Sequence, residues 1–481
     1  MTLTDDRRTT LPAPAPAGAQ PTVASQLGDL ISPLFGGTLP LRIRAWDGST
    51  AGPTPAPSGT SGEVPVVAEV PVASEVPTVV VRDRAALRRL VRHPGELGLA
   101  QAYVTGELDV EGDLLDGFRR VWAIARSHST VAGSSQTAGA SAVSSTDVLD
   151  VAKGVAARLP VLAKGFRTAY ALGAVGLPPE PPVSQARLRG RLHTTSRDRS
   201  AIEHHYNLSN DFYSLILDPS MAYSCGYWTS QAPDYTVEDA QRDKLDLVCR
   251  KLGIEPGGRH LDIGCGWGSL SLHAAEHFGA SVVGVTISSE QKAFIDERIR
   301  ERGLEGRVEI RLQDYREVPD GPFDTISSIE MGEHVGQRNY PTYTGQIHRL
   351  LRPGGRMLIQ QMSRTTRPGG GPFIEAFIAP DMHMRPVGET VAFIEQAGLE
   401  VRDVHALREH YVRTVNAWYD TFEANWDRVV EMVGEEVGRV WRLYLVGGAL
   451  AFEEGRMGVD QILAVKPTRD GRSEMPPVRT W

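Results

Sequence analysis

The chain is poor in cysteine, with Cys225, Cys249 and Cys265 the only three among 481 residues. Three irregularly spaced thiols make neither a disulfide framework nor a zinc site, so no metal is expected, and they fit a reducing cytoplasm. An excess of positive charge is also missing. Lys and Arg number 51 against 59 Asp and Glu, a formal charge of −8, which disfavours a globally basic nucleic-acid binder and leaves only a local basic patch to meet a polyanion. There is no long hydrophobic run. The most apolar stretch, residues 148–177, is broken by Lys153, Arg158, Lys164 and Arg167, and falls short of the roughly 20 apolar residues of a membrane span. Residues 1–24 pass from Asp5, Asp6, Arg7 and Arg8 into Pro and Ala without an apolar centre, so a secretory signal is not expected.

The length exceeds what one core of about 250–300 residues supports, so two or three domains are expected. Composition shifts place the joints. Residues 1–26 read as a disordered head rich in Pro, Ala and Thr. Residues 27–123 read as a small α+β accessory domain, with strands at 41–46 and 78–81 and a helix at 84–92. Within it, Glu-Val-Pro repeats at Glu63, Glu69 and Glu75 suit an extended insertion on an edge. Residues 124–199 read as a linker, flexible over the Ser/Ala/Gly-rich 127–146 and then amphipathic and helical over 148–177. Residues 200–481 read as the larger domain. Its apolar segments at 260–263, 281–285, 308–312, 323–329 and 356–361 alternate with helical ones at 289–302 and 340–351, the pattern of an α/β fold with a parallel, doubly wound sheet.

The most informative motif is His260-Leu-Asp-Ile-Gly-Cys-Gly-Trp-Gly268, an apolar strand entering a glycine loop and then a helix. Glycines there admit a ligand close to the backbone, and the helix start offers free N–H groups. Alone, such a loop is also compatible with dinucleotides. Here the spacing is Gly-x-Gly-x-Gly, Asp262 precedes the first glycine, and nothing arranged for a pyrophosphate follows. The loop resembles motif I of the class I S-adenosylmethionine-dependent methyltransferases, which have a Rossmann-like sheet.

Further motifs narrow the resemblance: Met221-Ala-Tyr-Ser-Cys-Gly-Tyr-Trp228, His205-Tyr-Asn-Leu-Ser-Asn-Asp-Phe212, Leu312-Gln-Asp-Tyr-Arg316 and Ile329-Glu-Met-Gly-Glu-His-Val-Gly336. Together they resemble the cyclopropane-fatty-acyl-phospholipid synthase family, which includes the mycolic acid cyclopropane synthases. The likeness covers residues 200–467 and reaches the small domain through Gly95-Glu-Leu-Gly-Leu-Ala-Gln-Ala-Tyr-Val-Thr-Gly-Glu-Leu108. It implies S-adenosylmethionine as cofactor. Tyr223 and Ser224 would meet its methionine end, Gly264 and Gly266 its backbone-facing side, Thr286 and Gln291 its ribose, and Gln313 and Asp314 its adenine. Asp262 and Gly268 complete the loop motif, and Trp267 reads as a packing wall.

The resemblance also implies the reaction: methyl transfer to the cis double bond of an unsaturated phospholipid acyl chain, through a carbocation that must lose a proton. Ring closure gives a cyclopropane, and proton loss without closure gives a methylene branch that a separate reductase could convert to a methyl branch. Tyr223, Tyr227, Trp228, Tyr411, Trp418 and Tyr419 are candidate aromatic walls for such a cation, with ordinary core packing as the alternative. In the cyclopropane synthases the base is thought to be a bicarbonate held by a cysteine backbone, a glutamate, a histidine and a tyrosine. Cys225, Glu333 and Tyr411 match three of these, but Gln360 stands at the histidine's place, and Gly448 stands where many members carry a cysteine. A glutamine relays no proton. The bicarbonate is thereby in doubt, and a protein carboxylate is the alternative base, with Glu203 as first candidate and Glu330 as second. Altered proton removal favours the actinobacterial methyl-branching subgroup, whose product is 10-methylene or 10-methyl stearate (tuberculostearic acid), over ring closure.

A phospholipid substrate calls for peripheral contact with the inner face of an anionic membrane. Arg187, Arg189, Arg191, Arg197 and Arg199, with the basic face of 148–177, are the candidate surface. A homodimer is expected, and no nucleic-acid partner. The competing class is an inactive lipid- or cofactor-binding homologue, against which the joint presence of Tyr223, Cys225, Glu333 and Tyr411 counts.

Overall fold

The computed structural model describes residues 21–53, 76–121, 123, 167–186, 208–365, 368–479 and 481. The Glu-Val-Pro repeats at Glu63 and Glu69 and the residue Glu75, the 127–146 linker, residues 148–166, the arginine cluster from Arg187 to Arg199, and Glu203 lie outside the described residues. Packing divides the chain into two compact units, residues 1–88 with 107–177 and residues 89–106 with 178–481.

The first unit holds a four-stranded sheet in the order β2-β1-β3-β4, from β1 (Arg42–Arg44), β2 (Thr50–Ala51), β3 (Thr78–Val81) and β4 (Leu108–Glu111). β1 runs parallel to β3, and the other pairs are antiparallel. The helix Val23–Ile31 starts inside the stretch read as a disordered head. Thr22 caps it by accepting from the Ser25 N–H at 3.3 Å, and Ala24 and Leu27 are buried, which gives these residues a reason to be ordered.

The second unit is built on a seven-stranded sheet in the order β10-β11-β9-β8-β5-β6-β7. Its strands are β5 (Arg259–Ile263), β6 (Ser281–Thr286), β7 (Val308–Leu312), β8 (Phe323–Ile329), β9 (Leu351–Ser363), β10 (Glu400–Ala406) and β11 (Gly458–Val465). β5 to β9 are parallel, as their alternation with helices predicts, and β11 runs antiparallel to both β9 and β10. This is the α/β, doubly wound, Rossmann-like fold. Valine, isoleucine and leucine from both faces of the strands fill two cores, one around Leu261, Ile326 and Ile359 and one around Val282, Ile310 and Leu358. Strand order reverses between β5 and β8, which places the ligand crevice of such sheets at the carboxyl ends of these strands.

Two further layers belong to this unit. The helix Glu96–Val104 carries the Gly95–Leu108 motif, and its Gln101 donates to Gln185 at 2.9 Å while the Tyr103 carbonyl accepts from Arg439 at 3.2 Å. A third core, rich in aromatic residues, is supplied by helices Asn210–Ile216, Arg408–Ala424 and Trp426–Glu453, the last kinked at Gly434 with φ 81°. Gly448 lies in this last helix, and the nearest atom to a Cβ placed there is a Val415 methyl at 3.9 Å, so nothing packs tightly against it.

Candidate active site

The glycine loop leaves β5 in the left-handed region, with φ 74° at Gly264, 56° at Gly266 and 82° at Gly268. The N–H groups of Gly264 and Cys265 both donate to the Val285 carbonyl, at 3.0 and 3.1 Å, which tie the loop to the end of β6. A Cβ on Gly264 would meet Met331 at 2.7 Å, whereas one on Gly266 would meet nothing within 4 Å. These glycines form one wall of a cavity of about 1350 Å³, open mouth included, at the carboxyl ends of β5, β6, β7 and β8. Tyr223, Ser224, Asp262, Gly264, Gly266, Trp267, Thr286, Gln291, Gln313 and Asp314 all line it. Gly268 does not. It precedes helix Ser269–His277, and a side chain there would strike Ile295 at 2.9 Å, so packing adds to its positive φ in calling for glycine.

The polar groups of the cavity are held from behind. The Thr286 hydroxyl donates to the Gln291 side-chain oxygen at 2.9 Å, which leaves the amide nitrogen as the end available to a ligand. Asp314 pairs with Arg316 at 2.6 Å. Gln313 Oε1 is buried without a partner, a vacancy suited to a ligand N–H. Both Asp262 oxygens are occupied, by Ser271 at 2.7 Å and Ser327 at 2.8 Å. Lys244, 1% exposed, donates to the Ser224 hydroxyl at 2.9 Å. Burial lowers its pKa, and the charges of Glu330 and Asp218 oppose that shift.

At the inner end of the cavity Glu330 follows β8 with φ 49°, a left-handed conformation for a non-glycine residue. Its Oε1 accepts from the Cys225 backbone N–H at 2.8 Å and from Gln360 Nε2 at 2.9 Å, and its Oε2 accepts from the Tyr411 hydroxyl at 2.5 Å. Gln360 is fully buried and fixed at its other end, its oxygen accepting from Gln461 at 2.9 Å. Burial raises the Glu330 pKa, while its bonds to Tyr411, Cys225 and Gln360 and the Lys244 charge pull it down. Glu333 is not part of this set. One of its oxygens accepts from the Met362 N–H, and the other is buried with no partner. Burial, then repulsion by Glu330, pushes it up to about 8. Burial and the Glu330 charge also drive the Cys225 and Tyr411 pKa values well up, so both stay neutral.

Aromatic rings surround this end. Tyr411 stacks on Phe452 at 4.5 Å and meets Trp418 edge-on at 6.1 Å. Tyr223 lies 5.4 Å from Trp418 and 6.2 Å from Trp441, and its hydroxyl bonds Tyr444 at 2.9 Å. Trp267 packs on Tyr213 at 4.5 Å and donates to Asn210 at 2.9 Å, which agrees with its reading as a wall. Tyr227 and Trp228 are turned elsewhere: Tyr227 stacks on His410 at 5.0 Å, and Trp228 bonds Thr414 at 3.0 Å beneath Arg413. Tyr419 packs against the edge of the aromatic core.

The profile of the family described as mycolic acid cyclopropane synthetase matches residues 193–462. The chain belongs to this family. A probable fatty acid methyltransferase from Pseudomonas putida is 33% identical over 91% of this chain and 95% of its own. The cyclopropane-fatty-acyl-phospholipid synthase of Escherichia coli strain K12 is 38% identical over 56% of this chain and 68% of its own. Among solved structures, a mycolic acid cyclopropane synthase complexed with SAH and CTAB superposes with a TM-score of 0.52 at 31% identity, covering 55% of this chain and 97% of that one.

As a member of this synthetase family the protein is an S-adenosylmethionine-dependent methyltransferase, and the cavity fits that cofactor: a glycine cradle, a partnerless Gln313 oxygen and a buried Lys244–Ser224 pair suit a nucleoside joined to an amino acid. Of the residues the sequence groups as catalytic, the structure places Cys225, Gln360 and Tyr411 together around Glu330, with Glu333 on the Met362 N–H instead. It missed Lys244, Tyr213, Trp441, Tyr444 and Phe452. Lys244 carried a signal, because it falls on the buried stripe of helix Val237–Leu252 with Ala240, Gln241 and Val248, where an uncompensated lysine is costly.

Proposed function

We propose that the protein transfers the methyl group of S-adenosylmethionine to a cis double bond in an unsaturated acyl chain of a membrane phospholipid and releases a methylene-branched chain. The observation that carries this reading is a single network of carboxylate, tyrosine and glutamine buried among aromatic rings at the inner end of the cofactor cavity. Tyr223, Ser224, Asp262, Gly264, Gly266, Thr286, Gln291, Gln313 and Asp314 are the residues to hold the cofactor, which supplies an electrophilic methyl group.

The chain's own residues do the rest. Tyr223 lines the cavity, with Trp418 packed on it and Tyr411 edge-on to Trp418, an aromatic wall suited to a cationic acyl chain and to keeping out the water that would capture it. A hydride shift between the two former alkene carbons moves the charge onto the methyl-bearing one, and loss of a proton from the new methyl leaves an exocyclic double bond. Gln360, clamped between Gln461 and Glu330, offers no proton relay of the kind a histidine supplies, which favours this product over ring closure. The likeness over nine-tenths of the chain to a protein named as a fatty acid methyltransferase points the same way. No helix among the described residues is long and apolar enough to cross a membrane. A phospholipid substrate is to be met at the bilayer face, with a separate reductase acting on the product.

The test is expression in a host rich in oleoyl phospholipids, followed by NMR of the lipids. Vinylidene protons are expected. Upfield cyclopropane protons would overturn the product assignment, and unaltered lipid would favour the inactive homologue.

A further inference from the structure

We propose that Glu330 is the general base of the reaction, a carboxylate built into the chain at the place where the family resemblance puts a bound bicarbonate. The inference rests on the proposed methyl transfer and adds the identity of the proton acceptor.

Three elements converge on this one side chain: the backbone of Cys225 from the loop after residue 217, Gln360 from β9, and Tyr411 from helix Arg408–Ala424. Cys225, Tyr411 and position 360 are the same groups that the resemblance assigns as holders of a free anion, and here the Glu330 carboxylate uses them. A carboxylate has about four acceptor sites, and Glu330 engages three, two on Oε1 and one on Oε2. Oε2 keeps a lone pair for an incoming proton. The residue itself is part of the cavity wall.

Burial raises the Glu330 pKa most, and the three donors and the Lys244 charge act against it in favour of the ionised form. Cys225 and Tyr411 are held neutral by burial, Tyr444 is pushed up to about 12, and Glu333, at about 8, holds its own proton near neutrality. Lys244 is the cation in Coulombic reach. Two carboxylates with unlike surroundings thus divide the roles, Glu330 as the anion and Glu333 as the neutral acid. In the step itself a C–H bond of the transferred methyl breaks, its electron pair forms the carbon–carbon double bond, and the proton passes to Glu330 Oε2. The backbone strain at Glu330 is consistent with a side chain held at its task, since Met221, Glu330 and Asp381, three of the four described non-glycine residues with positive φ, all line this cavity.

The experiment measures release of S-adenosylhomocysteine and lipid product by the full-length protein on oleoyl phospholipid vesicles, with and without bicarbonate in carbon-dioxide-free buffer. The wild-type rate is expected to be indifferent to bicarbonate. Glu330→Gln should lose about 10²–10⁴-fold in turnover while binding S-adenosylmethionine with unchanged affinity by calorimetry. Glu330→Gly suits a φ of 49° and vacates the carboxylate's space, so formate or bicarbonate should restore its turnover in a saturable way. Dependence of the wild type on bicarbonate, near-normal turnover by Glu330→Gln, or failure of both anions to rescue a folded Glu330→Gly would overturn the assignment. A wild type that makes a cyclopropane lipid would overturn the proposed product instead, and the rescue would still report on the base.

Discussion

Glu330 and Glu333 stand one helical turn apart in sequence and answer to different surroundings: three donors face the first, one backbone N–H faces the second. The ionised form of Glu330 is the working form, so kcat/KM should rise with pH as this group loses its proton. Burial puts the midpoint above the ordinary carboxylate range. Tyr411→Phe removes a donor that favours the anion. Its rising limb should move to higher pH and its turnover at neutral pH should fall about tenfold or more, read from pH–rate profiles of the two proteins. An unmoved limb would mean that Tyr411 only packs. At this scale the sequence was legible where side chains sit in motifs. Ten of eleven expected cofactor residues line one cavity, because short loops at the ends of adjacent parallel strands converge by necessity. The base was less legible. Glu203, the first choice, lies outside the described residues, and Glu330 gains its partners from segments about 30 to 105 positions away, a relation that spacing does not encode.

Elements explain why neighbouring glycines of one motif are not equivalent. Gly264→Ala would put a methyl against Met331 at the cavity wall, and Gly268→Ala would put one against Ile295 under the helix that follows. The first should weaken S-adenosylmethionine binding and, with φ 74° and the Met331 contact, cost stability as well. The second should cost about 1–3 kcal/mol of stability with cofactor affinity largely kept in the folded fraction. Calorimetric titration beside chemical denaturation separates the two, and equal effects on binding would refute the distinction. β5 to β9 were readable from the sequence because buried parallel strands are near-continuous apolar runs. β10 and β11 were not assigned. β10 carries Glu400, Arg402 and Asp403 on an edge, and β11 buries Asp460 and Gln461, which bond Ser363 and Gln360, so neither shows a simple apolar pattern.

For the whole molecule, each unit has its own buried core, and the cavity is lined only by residues of the second. Heating should therefore give two transitions, with S-adenosylmethionine at hundredfold excess over its Kd stabilising the second unit by about 2.7 kcal/mol and leaving the first unmoved. Equal shifts in differential scanning calorimetry would contradict this. Composition marked the low-complexity stretches but not the placement of residues 89–106 with the larger unit, which follows from packing of helix Glu96–Val104 that no compositional shift announces. The order of the large sheet has a consequence for synthesis. β11 is inserted between β9 and β10, both of which leave the ribosome earlier, so the edges of these strands wait unpaired until residues 458–465 emerge. At about 5–20 residues per second the β9 edge is open for roughly 5–20 s, a window in which a nascent chain can pair with its neighbour on the same message and a chaperone has its use.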